Sequence, residues 1–158
     1  MNKVISFFLV FICLSSQAYA DTNQYNKTIE HHIEVSRNLI KQTNPDLAND
    51  IYFVQGRSPF KKDPQHSCPK TPKKGVLFVH GLSDTTYRWH ELANFFSDHC
   101  FNVYSILLPG HGTTPDDLIK TTYQQWQASV AFGVDTLRKN SDQIFLVGSL
   151  YSTAIPML

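Results

Sequence analysis

The segment GVLFVHGLSD, residues 75–84, runs an apolar stretch straight into a His-Gly pair. Such a junction can aim backbone N–H groups at a developing oxyanion. Gly81 lets the backbone turn sharply after His80, and the N–H of Leu82 then faces the reacting atom. One such donor is worth about 3 kcal/mol in an acyl-transfer transition state. His80, Gly81 and Leu82 are therefore the candidate oxyanion hole. The same residues also read as a strand end followed by a helix-capping turn, and the segment alone divides evenly between the two.

A second apolar run, QIFLVG at 143–148, ends where a serine nucleophile would be presented, and the chain there reads GSLYSTA. A strand-to-helix turn of that kind is strained and closely approached, so small residues are needed two before and two after the nucleophile. Gly148 and Ser152 supply that frame around Leu150, whose side chain cannot attack a carbonyl. Centring the turn on Ser149 puts the bulky Val147 and Tyr151 at the flanks. Centring it on Ser152 puts Leu150 and Ala154 there, and one of the two fits. Ser152 is the candidate nucleophile. A serine also needs a base and an orienting acid. The residues after Gly148 contain no Asp, Glu or His, and the histidines at 31, 32, 66, 80, 90, 99 and 111 all lie upstream with no positional reason to substitute.

Other chemistries find less support. His90-Glu91-Leu92-Ala93-Asn94 begins like H-E-x-x-H, but Asn94 stands where the second zinc ligand would be. No glycine loop cradles a phosphate, and Cys68 and Cys100 are too far apart for a CxxC redox motif. The sequence implies neither a metal nor a cofactor. The His31-His32 pair on a polar helix is expected to face solvent.

These residues need strands and helices to hold them. Ile29, Ile33, Leu39 and Ile40 recur at near-helical spacing, which predicts an amphipathic helix over about 25–42 ended by Asn44-Pro45. IYFV at 51–54 reads as a strand and Gly56 as a turn, before a Pro- and Lys-rich connection over 59–74. Lysines 61, 62, 70, 73 and 74 in that connection are expected to be a solvated loop rather than a binding patch. Val76 to Val79 then predicts a strand buried on both faces, and Asp84 the cap of a helix with Trp89, Leu92, Phe95 and Phe96 on one side. Phe101 to Leu108 is the next strand. Thr121 with Gln124 reads as a capping box opening a helix whose stripe is Trp126, Val130, Gly133, Val134 and Leu137. Ile144 to Val147 follows as a third strand, so the order is β-α-β-α-β and the sheet parallel.

Together, FVHGLSDTTYRWHELANFF, then VYSILLPGHGTTPDDL, then a helix containing Trp126, then IFLVG, resemble the amino-terminal half of an α/β-hydrolase of the esterase, lipase and lysophospholipase type. The resemblance covers Gly75 to Gly148 and includes the SPF at 58–60. It implies an α/β class: a partial α/β-hydrolase fold with a parallel βαβαβ core and an N-terminal helix, truncated after the strand that leads to the nucleophile. It implies an oxyanion loop at His80-Gly81, a mainly structural loop at 108–112 with His111 a loop residue, and small acyl or ester substrates. The expected activity of the parent is carboxylic-ester hydrolysis by serine. The expectation for these residues is a truncated and inactive form, or a non-catalytic exported binding protein on the same scaffold, favoured by the small-residue frame around Leu150.

Residues 1–20 carry one lysine, an apolar run from Val4 to Leu14 and an Ala18-Tyr19-Ala20 end, the three-part pattern of a secretory signal cleaved after Ala20. The run is shorter than the ~20 residues a spanning helix needs, so the expectation is a secreted or periplasmic protein with no stable membrane anchor. Removing Lys3 from 14 basic residues balances them against 13 acidic ones, which gives no reason to expect nucleic-acid binding. Residues 21–74 then form the N-terminal helix, strand and connection, and residues 75–158 the hydrolase-like half domain. Cys68 and Cys100 lie just upstream of two strands expected to be parallel neighbours, which makes a disulfide geometrically plausible. It would stabilise by roughly 3 to 4 kcal/mol, the alternative being two unpaired thiols. Nothing in the sequence sets the oligomeric state.

Overall fold

The computed structural model describes residues 28–65, 67–69 and 72–149. Among these residues four strands form one sheet in the order β1-β3-β2-β4: β1 Phe60–Lys62, β2 Lys74–Val79, β3 Phe101–Ile106 and β4 Gln143–Gly148. β2 is central and pairs in parallel with β3 on one side and β4 on the other, while β1 runs antiparallel along β3. The parallel β-α-β-α-β core is thus present, and the sheet is mixed because of β1.

Alternation along the strands divides the core into two layers. Leu77 and Val79 of β2 and Tyr104 and Ile106 of β3 face one side. There they pack with Ile29 and Ile33 of α1 (Ile29–Thr43) and with Trp126, Val130 and Leu137 of α5 (Tyr123–Arg138). Val76, Phe78, Val103 and Phe60 face the other side, against Trp89, Ala93 and Phe96 of the helix α3 (His90–Asp98) and its preceding turn. Phe78 stacks on Trp89 with ring centroids 5.0 Å apart.

Local sequence sets the element boundaries, in places against the sequence expectation. The first helix begins at Ile29 because the Thr28 hydroxyl accepts the His31 N–H, and ends at Asn44 before Pro45. IYFV is a helix rather than a strand: Asp50 accepts the N–H groups of both Tyr52 and Phe53, and α2 runs Ile51–Arg57. A strong N-cap overrides the β propensity of an aromatic, β-branched tetrad. Gly56 lies inside that helix, where the Tyr87 ring packs so closely that a Cβ would come within 2.9 Å of it. The strand of this region is instead β1, and it takes Lys61 and Lys62 out of the expected loop. Lys61 pairs with Glu30 and Lys62 hydrogen-bonds Asn94.

Helix α3 is entered through a 3-10 turn, Thr86–Trp89, capped by Thr85 rather than Asp84. Asp84 accepts the Thr85 N–H and pairs with Arg88 at 2.6 Å. The capping box expected at Thr121 and Gln124 is one residue later, at Thr122 and Gln125. A second box, Thr114 with Asp117, opens the separate helix α4 (Pro115–Lys120). His32 is buried rather than solvent-facing, with Nδ1 2.6 Å from the Tyr104 hydroxyl. Among the described residues no helix is long and apolar enough to cross a membrane.

Candidate functional site

β2 and β4 end together: Val79 is the register partner of Gly148, and the Ser149 N–H donates to the Val79 carbonyl at 3.3 Å. The residues that follow each strand therefore start side by side at the carboxyl edge of the sheet, the edge where open α/β sheets bind ligands. On one side of this junction stand His80, Gly81 and Leu82. On the other the chain continues into Leu150 and Ser152, which lie outside the described residues.

His80 is fully buried, and each of its ring nitrogens meets a backbone group. Nε2 accepts the Leu108 N–H at 2.9 Å, which requires the proton on Nδ1, and Nδ1–H donates to the Gly81 carbonyl at 2.9 Å. Burial holds this ring neutral, its pKa lowered to about 4. The Gly81 carbonyl also receives the Asp84 N–H at 3.2 Å, closing a turn. In a planar trans peptide the N–H of Leu82 points opposite to the Gly81 carbonyl, so it is aimed away from His80. Leu82 is 48% exposed, and among the described residues its N–H meets no acceptor. An exposed N–H of this kind is able to donate to an approaching anion.

The loop after β3 closes over this turn. Gly110 at φ 79° and Gly112 at φ 73° allow Leu108 to Gly112 to fold back on itself, and His111 is buried within it. Its ring lies 4.6 Å from that of His80 and 5.7 Å from the Trp126 indole. Nε2 is 2.7 Å from the Leu82 carbonyl and Nδ1 3.1 Å from the Pro109 carbonyl, which also accepts the Trp126 Nε1–H at 3.0 Å. The link from His111 to Leu82 was hidden in sequence, although His80 directly after β2 and His111 in the loop five residues after the end of β3 were a signal that both histidines sit at the same edge.

The SPF segment enters from the far side. The buried Thr86 hydroxyl donates to the Ser58 carbonyl at 2.7 Å, and the Ser58 hydroxyl donates to the Val54 carbonyl at 2.5 Å, fastening the α2–β1 junction to the turn that follows the His-Gly pair. At the opposite end of the sheet Cys68 and Cys100 form a disulfide with Cα atoms 5.6 Å apart. Among the described residues no group of three or more His, Cys, Asp or Glu side chains could hold a metal ion. His90 stacks on Phe60 at 4.1 Å instead of pairing with a ligand at position 94.

Comparison with known proteins places this arrangement. The chain is 36% identical over 74 residues to a thermostable monoacylglycerol lipase of Bacillus sp. (strain H-257), covering 47% of this chain and 30% of that protein. It superposes with a TM-score of 0.52 and 27% identity on a solved structure reported among metagenome-derived lipolytic enzymes, covering 59% of this chain and 35% of that one. The chain thus spans about a third of the length of each. Residues 76–156 match the model of the alpha/beta hydrolase family, and with its β2 turn, its parallel core and its lipolytic relatives the chain belongs to that family.

Proposed function

We propose that this scaffold serves the hydrolysis of carboxylic esters or related small acyl compounds, with Ser152 as the attacking nucleophile and the Leu82 N–H as an oxyanion donor. The observation that carries the reading is the shared ending of β2 and β4 at Val79 and Gly148, which starts the nucleophile segment alongside the His-Gly turn. The lipolytic relatives support the ester class. The serine oxygen adds to the ester carbonyl as its proton passes to a base, and the resulting oxyanion takes the Leu82 hydrogen bond. Collapse expels the alcohol, and water then releases the acid from the acyl-enzyme. His80 is not that base, because both its nitrogens are held by backbone groups. His111 is not assigned as the base either, since its rings faces two carbonyls.

The proposal includes export to an oxidising compartment, supported by the signal-like residues 1–20 and by the Cys68–Cys100 disulfide. A fluorophosphonate probe tests the chemistry. If Ser152 is the nucleophile, labelling of the folded chain maps to it and is abolished by Ser152→Ala. Folded protein that resists labelling would favour the second reading, a binding protein on the same scaffold, for which the apolar Leu150 between Gly148 and Ser152 is the favouring observation.

A further inference from the structure

We propose that His111 is a positioning residue for the oxyanion loop, fixing the Leu82 carbonyl so that the Leu82 N–H keeps its aim. The proposal rests on the reading of residues 80–82 as the oxyanion turn. Peptide units are planar, so the only soft dihedrals between the Gly81–Leu82 plane and the Leu82–Ser83 plane are the φ and ψ of Leu82. His80 holds the first plane through the Gly81 carbonyl at 2.9 Å. His111 holds the second through the Leu82 carbonyl at 2.7 Å. With both carbonyls held, Leu82 has no free rotation, although its side chain is half exposed and lies in neither core layer.

His111 can do this because it is itself fastened. Its backbone N–H donates to the Leu108 carbonyl at 3.2 Å, and the Leu108 N–H donates to His80 Nε2 at 2.9 Å. The path from His80 to Leu108, His111, Leu82 and back along the chain to His80 is a closed ring of covalent and hydrogen bonds. A neutral imidazole carries one N–H. The shorter contact is the one from Nε2, so the proton belongs there, and the Pro109 carbonyl facing Nδ1 is served by the Trp126 indole.

Residue-resolved amide exchange on the full chain tests the assignment, comparing His111→Leu, which cannot donate, with His111→Gln, whose amide can reach the Leu82 carbonyl. The reporter is the Asp84 N–H, bonded to Gly81 O inside the turn. In His111→Leu it should exchange about tenfold faster while the β2 amides stay protected, and in His111→Gln its protection should return. The nitrogen spectrum of the unmodified chain should show His111 with its proton on Nε2. Unchanged Asp84 exchange in a folded His111→Leu chain, a proton on Nδ1, or equal loss of protection throughout β2 in both variants would each overturn the assignment. None of these readouts requires turnover. A chain with the expected exchange pattern and no fluorophosphonate labelling would sink the hydrolase reading and leave the positioning role standing.

Discussion

The Nδ1 of His32 lies 2.6 Å from the hydroxyl of Tyr104, a buried polar contact that docks α1 on β3 beside the apolar residues of the same layer. His32 and Tyr104 each have further partners, and the Phe132 ring stands edge-on to both. Like His80, this imidazole is buried, and burial lowers its pKa to about 4.

Acid should therefore unfold the chain early. Both histidines titrate near 6.5 when unfolded and near 4 when folded, so below 6.5 the unfolded state binds more protons. Stability is complete above about pH 6.5 and falls as the pH drops toward 4, by on the order of 3 kcal/mol for each ring. Urea titrations at several pH values should give midpoints that fall across this window. His32→Phe, although less stable at neutral pH, should show roughly half the decline. A variant whose decline matches the parent's would remove His32 from the account.

Gly110 should tolerate no side chain. Its φ is 79°, and an added Cβ would lie 2.4 Å from Thr121 Oγ1 and 2.9 Å from both Asp117 O and Leu118 Cα, two of which are backbone. Gly110→Ala should cost about 2–4 kcal/mol in chemical denaturation. Gly133→Ala is the contrast. Its Cβ would meet side chains only, the Leu77 methyls at 2.8 and 2.9 Å and Ile106 Cγ2 at 3.1 Å, inside a helix where alanine gains about 1 kcal/mol over glycine. The two effects oppose, and the net change should be much smaller than at Gly110.

Reduction of the Cys68–Cys100 disulfide, which spans 32 residues, should lower stability by about 3–4 kcal/mol with the sheet intact. Paired melts with and without reductant measure it, and the Cys68→Ala, Cys100→Ala double variant should match the reduced chain. A reduced chain that melts with the oxidised one would show that the bridge constrains nothing in the unfolded state.

The parallel core was legible because Val76–Val79, Phe101–Leu108 and Ile144–Val147 are apolar runs separated by helical stripes. A turn at His80-Gly81 was legible because a glycine directly after an apolar run lets the chain change direction, although the run alone left two uses for that turn. The region before it was not. IYFV has the composition of a strand, yet the Asp50 carboxylate reaches two N–H groups and starts a helix there, with Val54 packed on Ile40 and Leu107. The burial of His32 and the hold of His111 on Leu82 were also beyond reach, because the partners are 72 and 29 positions away and no local pattern announces a contact between distant polar groups.

β4 carries Phe145, 47% exposed, and Leu146, 41% exposed, on opposite faces, and it stands at the edge of the described sheet. An edge strand with apolar residues on both faces invites pairing with another copy. The chain should scatter light increasingly with concentration, and Phe145→Lys should suppress this without lowering the melting temperature appreciably. Equal scattering by the variant would mean that another surface drives association.

The two ends of the sheet are fastened by different means. At the amino ends of the strands the disulfide is reinforced by Lys73 N–H to the Asp142 carboxylate at 2.8 Å, Asp142 N–H to Lys73 O at 2.8 Å, and Asn102 to Asn140 O at 2.9 Å. At the carboxyl ends the described loops are held by non-covalent contacts alone: imidazoles, hydroxyls, the Trp126 indole, the Asp84–Arg88 pair and backbone amides. Warming should therefore open the molecule like a hinged book: the covalent spine persists while the pages at the His-Gly edge part first. Loss of the site would then precede loss of the sheet, and a chain cooled from that point would need only to close its loops rather than refold.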